Sequence, residues 1–203
     1  MVEAGNKPKV AIVGRPNVGK STLFNRLMGK MIAIVDDQPG ITRDRLYGDC
    51  DWAGKEFVLI DTGGLEGEVS DALKGRVKEQ IELAIAEADL ILFLVDAIDG
   101  VVADDREAAS LLRKSGKEVL LVVNKAEGRR FGLSKYDFYS LGLGEPIPIS
   151  AIQGIATGDL LDEIVKRLPE VEMEEKEKEA IKIAVVGRPN VGKSSLVNKI
   201  LGE

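Results

Sequence analysis

A segment near the amino terminus returns almost letter for letter near the other end of the chain. Residues 10–21 read VAIVGRPNVGKS, and residues 183–194 read IAVVGRPNVGKS. Each copy combines an apolar strand, the pattern Gly-x-x-x-x-Gly-Lys-Ser and the start of a helix, which together are typical of a phosphate-binding P-loop. Two such copies with the same flanking elements indicate a duplicated unit that binds a nucleoside triphosphate.

The composition is that of a globular chain with a sizeable core. The chain has 203 residues, 44% of them hydrophobic and 31% charged, which suits one full domain plus a remainder. The longest apolar run, residues 90–95, is far too short to cross a bilayer, so we expect no membrane partner. Because Cys50 is the single cysteine, no intrachain disulfide can form, and this favours a cytoplasmic location.

The charge balance argues against a nucleic-acid-binding surface within this chain. The net charge is −6 and there is no histidine, so imidazole bases and imidazole metal ligands are excluded. RNA-binding domains usually present a basic face, and the pair Arg129-Arg130 is too short to form one. We therefore expect any contact with RNA to lie outside these residues.

Strands and helices alternate along the first part of the chain. Hydrophobic spacing predicts strands at 9–13, 46–51, 56–60, 90–95, 118–123 and 147–149, and helices at 20–28, 69–88, 104–114 and 158–168. Residues 30–45 lack periodicity and are predicted as a loop. Continuous apolar strands are typical of a parallel sheet buried on both faces. We therefore predict an α/β fold with three layers, a mostly parallel sheet flanked by helices, as in P-loop NTPases.

The same patterns predict the domain organisation. Residues 1–8 form an amino-terminal extension, and residues 9–168 form the first nucleotide-binding domain. Residues 169–180, rich in glutamate, form an acidic linker that opens with the helix-ending Pro169. Residues 181–203 contain the start of a second domain, namely a strand, a P-loop and a helix. Because so short a piece cannot close a core of its own, we expect the chain to be an amino-terminal fragment of a longer protein.

The first P-loop carries the groups that a polyphosphate needs. Gly14 and Gly19 let the backbone approach the phosphates, and amide N–H groups supply positive potential. Lys20 adds a full charge, Ser21 a hydroxyl ligand for Mg²⁺, and Thr22 lies near the α phosphate. The candidate phosphate-binding residues are Gly14, Arg15, Pro16, Asn17, Val18, Gly19, Lys20, Ser21 and Thr22, with Gly187, Arg188, Pro189, Asn190, Val191, Gly192, Lys193 and Ser194 in the second copy.

A second motif follows at the interval that a nucleotide switch requires. Asp61-Thr62-Gly63-Gly64 comes at the end of a predicted buried strand, where an aspartate can hold Mg²⁺ through water and Gly64 can donate its N–H to the γ phosphate. In the first loop, Thr42 can offer a second hydroxyl to Mg²⁺. These residues predict two switch loops, at 30–45 and 61–75, that order around the γ phosphate.

Two further strand ends predict recognition of the base. In Asn124-Lys125-Ala126-Glu127, the carboxylate can accept hydrogen bonds from guanine N1–H and N2–H₂, a pair of donors that adenine lacks. Asn124 would brace the loop and the stem of Lys125 would lie along the base. In Ser150-Ala151, a backbone N–H can reach guanine O6. These residues predict a preference for GTP and GDP.

Taken together, these motifs resemble those of the Der (EngA) family of tandem GTPases, within the TrmE-Era-EngA-like GTPases. The resemblance covers essentially the whole chain, and its most specific part is the tandem arrangement. It implies a Ras-like G domain that binds and hydrolyses GTP as a switch in assembly of the large ribosomal subunit. The chain departs from the family at Glu127, where the pattern usually has aspartate; the carboxylate is kept but lies one methylene further out.

The resemblance also bears on catalysis. In Ras-like enzymes a glutamine after Asp-x-x-Gly orients the attacking water, but this position is Leu65. In related potassium-stimulated GTPases, an asparagine placed as Asn17 helps to hold K⁺ beside the phosphates. The resemblance therefore assigns catalysis to Lys20, Thr42, Gly64 and Asn17, and metal binding to Ser21, Thr42, Asp61 and Asn17.

Two alternatives stay open at this level. The chain is either a monomeric GTPase switch or a regulatory module that binds guanine nucleotide with little turnover and controls a neighbouring GTPase domain. The absent glutamine and the acidic linker keep the second alternative open. An ATP-using enzyme would require Glu127 to be irrelevant to the base.

Overall fold

A computed structural model of the chain describes residues 7–29, 46–62, 73–127 and 135–169, with the side chains of 73–76 excepted. The chain divides into two compact units, Met1–Val171 and Glu172–Glu203. All described residues belong to the first unit, and residues 170–180 of the acidic linker and the whole second P-loop lie outside them. The domain boundaries drawn from the sequence stay a prediction.

Six strands and four helices make up the described part of the first unit. The strands are β1 (Lys9–Val13), β2 (Leu46–Trp52), β3 (Lys55–Asp61), β4 (Leu90–Asp96), β5 (Glu118–Asn124) and β6 (Ile147–Pro148). The helices are α1 (Lys20–Met28), α2 (Leu73–Glu87), α3 (Ala103–Ser115) and α4 (Thr157–Arg167). A further helical turn covers residues 135–139.

The strands form one sheet in the order β2-β3-β1-β4-β5-β6. Only the hairpin β2–β3 pairs antiparallel, whereas β1 with β3, β1 with β4, β4 with β5 and β5 with β6 are parallel. The carboxyl ends of β1, β3, β4 and β5 therefore meet at one edge of the sheet, which is where ligands bind in open α/β folds. The predicted α/β class and mostly parallel sheet are confirmed.

Two apolar cores cover the two faces of the sheet. In β4, whose seven residues are all buried, Leu90, Leu92 and Leu94 face the core that contains α1 and α4. Ile91, Phe93 and Val95 face the opposite core, with α2 and α3. Because alternate residues of a strand point to opposite faces, a continuous apolar run is what a central strand between two helical layers requires.

The structure differs from the sequence-based elements mainly at their ends. The predicted strands 46–51 and 56–60 left residues 52–55 as the turn between them, but Trp52 pairs with Lys55 in the ladder. The turn is therefore only Ala53 and Gly54, both at positive φ, as in the two-residue turns that match strand twist. The helical turn at 135–139 was not predicted. The loop 30–45 and the start of the predicted helix 69–88 lie outside the described residues.

Candidate functional site

The turn after β1 has a backbone shape that only glycine fits at two positions. At Gly14, with φ of 157°, an added Cβ would lie 2.3 Å from the carbonyl oxygen of Leu94. At Gly19, with φ of 98°, an added Cβ would lie 2.4 Å from Nδ2 of Asn124. The turn is therefore pressed against the ends of two neighbouring strands. Successive backbone N–H groups in a turn of this kind can form an anion-binding concavity.

Helix α1 begins at the end of this turn and directs its amino terminus toward the site. Its cap is Gly19, with no side-chain hydrogen bond to the first turn, so the N–H groups of that turn can serve an anion. Lys20 is 3% exposed and its Nζ donates to the carbonyl oxygen of Arg15 at 3.0 Å. Ser21 and Thr22 are exposed. The predicted phosphate-binding residues of the first copy thus lie on one loop and one helical turn.

The side chain of Arg15 is directed to helix α3. Its Nη2 lies 2.6 Å from Oδ2 of Asp99, and its Nε lies 3.6 Å from Oδ1 of Asp105. Asp105 also accepts the N–H of Val102 at 3.1 Å, at the start of α3. Burial raises the pKa of the Asp105 carboxyl, whereas the hydrogen bond from Val102 and the charge of Arg15 oppose the rise. The side chain of Arg15 thus anchors the P-loop, and its backbone is the part that can meet phosphate.

The end of β3 lies beside the strand that enters the P-loop. Asp61 is fully buried and pairs in register with Ile12 of β1. The hydroxyl of Thr62 donates to the carbonyl oxygen of Ile12 at 2.7 Å, so the strand end is fastened to β1. Thr42, Gly63, Gly64 and Leu65, the other predicted switch residues, lie outside the described residues.

Asn124 connects the phosphate end of the site to the loop after β6. Its side chain is 3% exposed; Nδ2 donates to the carbonyl oxygen of Val18 at 2.8 Å, and Oδ1 accepts the N–H of Ala151 at 2.9 Å. One amide group therefore fixes the spacing between the P-loop and the loop that carries Ser150 and Ala151. The bracing role of Asn124 stays a prediction, which these two hydrogen bonds support.

Lys125 makes a second connection to the P-loop. It has φ of 62°, which is uncommon for a residue with a side chain. Its Nζ donates to the carbonyl oxygen of Asn17 at 2.9 Å and to Oδ2 of Asp96 at 2.5 Å. Asn17 also has positive φ, 65°, a conformation that asparagine tolerates. These contacts hold the stem of Lys125 across the carboxyl edge of the sheet, and Glu127 follows it as an exposed residue.

Sequence reasoning missed two residues of this region. Asp96 ends the buried strand β4 and binds Lys125; a carboxylate at the end of a buried parallel strand is a signal that could have found it. Arg26, on α1, donates Nε to the carbonyl oxygen of Ala151 at 2.8 Å and Nη2 to that of Ile152. No pattern in the sequence indicates this contact, since it joins residues far apart in the chain.

The described residues contain neither a metal-binding cluster nor a membrane-spanning helix. Across residues 7–29, 46–62, 73–127 and 135–169, no group of three or more aspartate, glutamate, cysteine or histidine side chains could hold a metal ion. In the same stretches, none of the helices combines the length and the apolar character that crossing a bilayer requires. The predicted residues of the second copy, Gly187, Arg188, Pro189, Asn190, Val191, Gly192, Lys193 and Ser194, lie outside the described part.

The strand order, the P-loop and the two strand-end loops that it contacts define a P-loop nucleotide-binding domain of the GTPase class. The model of the family described as 50S ribosome-binding GTPase matches residues 9–125 and 182–203. The chain belongs to this family, and the predicted class of protein is confirmed.

Curated relatives carry the name of the resembled tandem GTPases. GTPase Der of Clostridium novyi is 57% identical over 197 residues, which is 97% of this chain and 45% of the relative. GTPase Der of a Thermoanaerobacter species is 60% identical over 195 residues, 96% of this chain and 44% of the relative. The resemblance to this group is confirmed. The chain spans less than half the length of these relatives.

Solved structures of the same class share the fold. Era bound to MgGDPNP and nucleotides 1506–1542 of 16S ribosomal RNA has a TM-score of 0.64 and 34% identity, covering 81% of this chain and 58% of Era. An Era variant from Aquifex aeolicus bound to GDP and AlF4⁻ has a TM-score of 0.63 and 34% identity, covering 81% of this chain and 57% of that protein. The G domain of the T. maritima FeoB iron transporter has a TM-score of 0.55 and 27% identity, covering 79% of this chain and 98% of that domain.

Proposed function

We propose that residues 9–168 form a G domain that binds GTP and GDP and hydrolyses GTP to GDP and phosphate. The observation that carries this proposal is the pair of contacts that Asn124 makes, to the P-loop at Val18 and to Ala151 of the loop after β6. A nucleotide has a polyphosphate at one end and a base at the other. A site that recognises both needs a fixed distance between the two loops, and Asn124 sets it.

The phosphate end of the proposed site is formed by the P-loop and α1. The buried ammonium group of Lys20 would exchange its contact with Arg15 for the β and γ phosphates, and the N–H groups of residues 14, 15 and 17–19 and of the first helical turn would surround them. Thr22, which is exposed in the first turn of α1, would lie near the α phosphate. Because Arg15 is paired with Asp99 and Asp105, it would take part through its backbone.

The residues present fit a magnesium ion bound together with the nucleotide. The hydroxyl of Ser21 is exposed in the first turn of α1, and Asp61 ends β3 in register with β1; Thr42 would add a second hydroxyl. Mg²⁺ usually keeps several waters and takes few protein ligands beside phosphate, which agrees with the lack of an acidic cluster among the described residues. When bound, the ion would neutralise charge on the phosphates.

The base end of the proposed site is formed by the loops after β5 and β6. The exposed carboxylate of Glu127 would accept N1–H and N2–H₂ of guanine, and the stem of Lys125 would lie along the ring. Ala151 donates its N–H to Asn124, so the amide that would serve guanine O6 is the next one along the chain, that of Ile152. A titration of the chain with GDP and ADP in the presence of Mg²⁺ tests this assignment, and equal affinities would contradict it.

We infer that a monovalent cation contributes to hydrolysis. Leu65 cannot orient water as glutamine does, whereas Asn17 is exposed at the tip of the P-loop with its carbonyl oxygen held by Lys125. Asn17 would hold K⁺ next to the phosphates, where a cation stabilises transferring charge, and Gly64 would bind the γ phosphate. Phosphate release should be faster in KCl than in NaCl at matched ionic strength. Equal rates in the two salts would contradict the proposed role of K⁺.

The role of the whole protein is proposed from its family. The family description names binding to the 50S ribosomal subunit, and we propose that the chain is a monomeric, cytoplasmic part of a switch in assembly of the large subunit. The alternative is a regulatory nucleotide-binding module, which the Leu65 substitution favours. Steady-state phosphate release separates the two, because a module without turnover would bind GTP and release almost no phosphate.

A further inference from the structure

We propose that Arg26, near the end of α1, is a positioning residue for guanine recognition. Its guanidinium would hold the peptide group between Ala151 and Ile152 by the carbonyl oxygen, so that the N–H of this peptide is presented to O6 of the base. The inference rests on the proposed function, because it requires a guanine nucleotide in the site.

The hydrogen bonds of the loop after β6 leave one amide for a ligand. The carbonyl oxygen of Ser150 accepts the N–H groups of Gly154 and Ile155, and the hydroxyl oxygen of Ser150 accepts that of Gln153. The N–H of Ser150 donates to the carbonyl oxygen of Ile155, and the N–H of Ala151 donates to Oδ1 of Asn124. Within the part of the chain that the structure describes, the N–H of Ile152 has no protein acceptor. Ile152 is also 70% exposed, so a ligand can reach its amide.

Arg26 binds the other side of the same peptide group. Its Nε donates to the carbonyl oxygen of Ala151 at 2.8 Å, and its Nη2 donates to that of Ile152. A planar guanidinium with two donors fixes direction as well as distance. In a trans peptide the C=O and N–H bonds point in opposite directions, so the N–H of Ile152 points away from Arg26.

The charge of Arg26 also affects the strength of the donor. A carbonyl group that accepts a hydrogen bond from a cation polarises its peptide, and hydrogen bonds in such a chain strengthen one another. The N–H of Ile152 is therefore a better donor than an amide with a solvated carbonyl. O6 of guanine carries lone pairs and accepts such a donor, whereas the amino group at the same position of adenine donates.

Through Arg26, helix α1 connects the phosphate end of the site to the base end. Lys20 opens the helix at the phosphate end, and Arg26 lies about 9 Å further along its axis at a rise of 1.5 Å per residue. The stem of Arg26 packs near Gly154, where an added Cβ would lie 3.6 Å from Nη1. Asn124 makes the other connection between these loops. A shift of α1 on phosphate binding would therefore move the O6 donor.

The test compares three nucleotides on the same protein preparations. GDP and inosine diphosphate carry O6, whereas 2-aminopurine riboside 5′-diphosphate lacks it. For Arg26→Gln we expect Kd to rise about tenfold for GDP and inosine diphosphate, as for loss of one charge-assisted contact, and to change less than twofold for the 2-aminopurine nucleotide. Arg26→Lys, which keeps the charge but has one donor group, should give a smaller selective loss.

A purely structural role for Arg26 predicts a different pattern. Equal increases in Kd for all three nucleotides, or no increase for any, would overturn the proposal. If Arg26→Gln does not fold, Arg26→Lys gives the same comparison. Arg167→Gln, which removes an arginine paired with Glu118 and Glu163 on the surface, is the matched control and should leave all three affinities unchanged. Failure of the unaltered chain to bind GDP would overturn the proposed function instead.

Discussion

At the scale of single residues, the contribution of a buried polar side chain to stability depends on whether its polar atoms, and those of its neighbours, have hydrogen-bond partners. Asn124 is the clearest case, because its buried amide satisfies one carbonyl group and one N–H group from two different loops. Removing it would leave both groups buried and unpaired, and an unpaired buried group costs its full desolvation penalty. A residue of this kind affects stability and binding together.

Asn124→Ala should therefore lower the free energy of unfolding by about 1–3 kcal/mol and weaken GDP binding. Urea denaturation and calorimetric titration measure the two effects. Asn25→Ala, on the exposed face of α1, is the matched control and should stay within about 0.5 kcal/mol of the unaltered chain. An Asn124→Ala chain as stable as this control would contradict the bridging role.

The buried thiol of Cys50 makes stability depend on pH at the alkaline end. Burial raises the pKa of Cys50 from 9.0 to about 12, so as pH rises above 9.0 the unfolded state loses the thiol proton before the folded state does. The contribution of Cys50 to stability is full below pH 9.0 and is lost toward pH 12. Unfolding free energies of the chain and of Cys50→Ala, measured from pH 8 to 11, should converge as pH rises; a constant difference would contradict this.

At the scale of elements, hydrophobic spacing in the sequence was enough to predict the order of strands and helices but not the turns that connect them. The apolar run of β4 predicted a central strand, because nothing but a two-sided core accepts such a run. The turn between β2 and β3 was predicted two residues too long, and the helical turn at 135–139 was not predicted, since both depend on local backbone conformation more than on hydrophobic spacing. Arg26 was missed because its partners come from a distant loop.

Gly14→Ala tests the fit between the P-loop and β4. The added Cβ would lie 2.3 Å from a backbone carbonyl of Leu94, and a packed backbone cannot yield without moving the loop. We expect a destabilisation of about 1–3 kcal/mol and loss of GDP binding. Gly54→Ala, also at positive φ but with no atom within 4 Å of its Cβ, is the matched control and should keep its affinity. A Gly14→Ala chain that binds GDP normally would rule out this geometry.

At the scale of the whole molecule, the chain combines one described G domain with a second P-loop outside the described residues. The sequence predicted both, and the family model matches a segment in each region, residues 9–125 and 182–203. The base-recognition residues of the described domain lie far along the chain from its P-loop, and they reach the site because parallel strands end at one edge of the sheet. We therefore expect one nucleotide to bind in the described domain, between its P-loop and the loops after β5 and β6.

The most direct measurement is a calorimetric titration of the chain with GDP and with ADP, each with Mg²⁺, repeated on Lys20→Met. We expect GDP to bind to the described domain, an affinity for ADP lower by about 10⁴, and loss of this GDP binding when Lys20 is replaced. Absence of heat with GDP, equal affinity for the two bases, or full binding by the Lys20→Met chain would contradict this expectation.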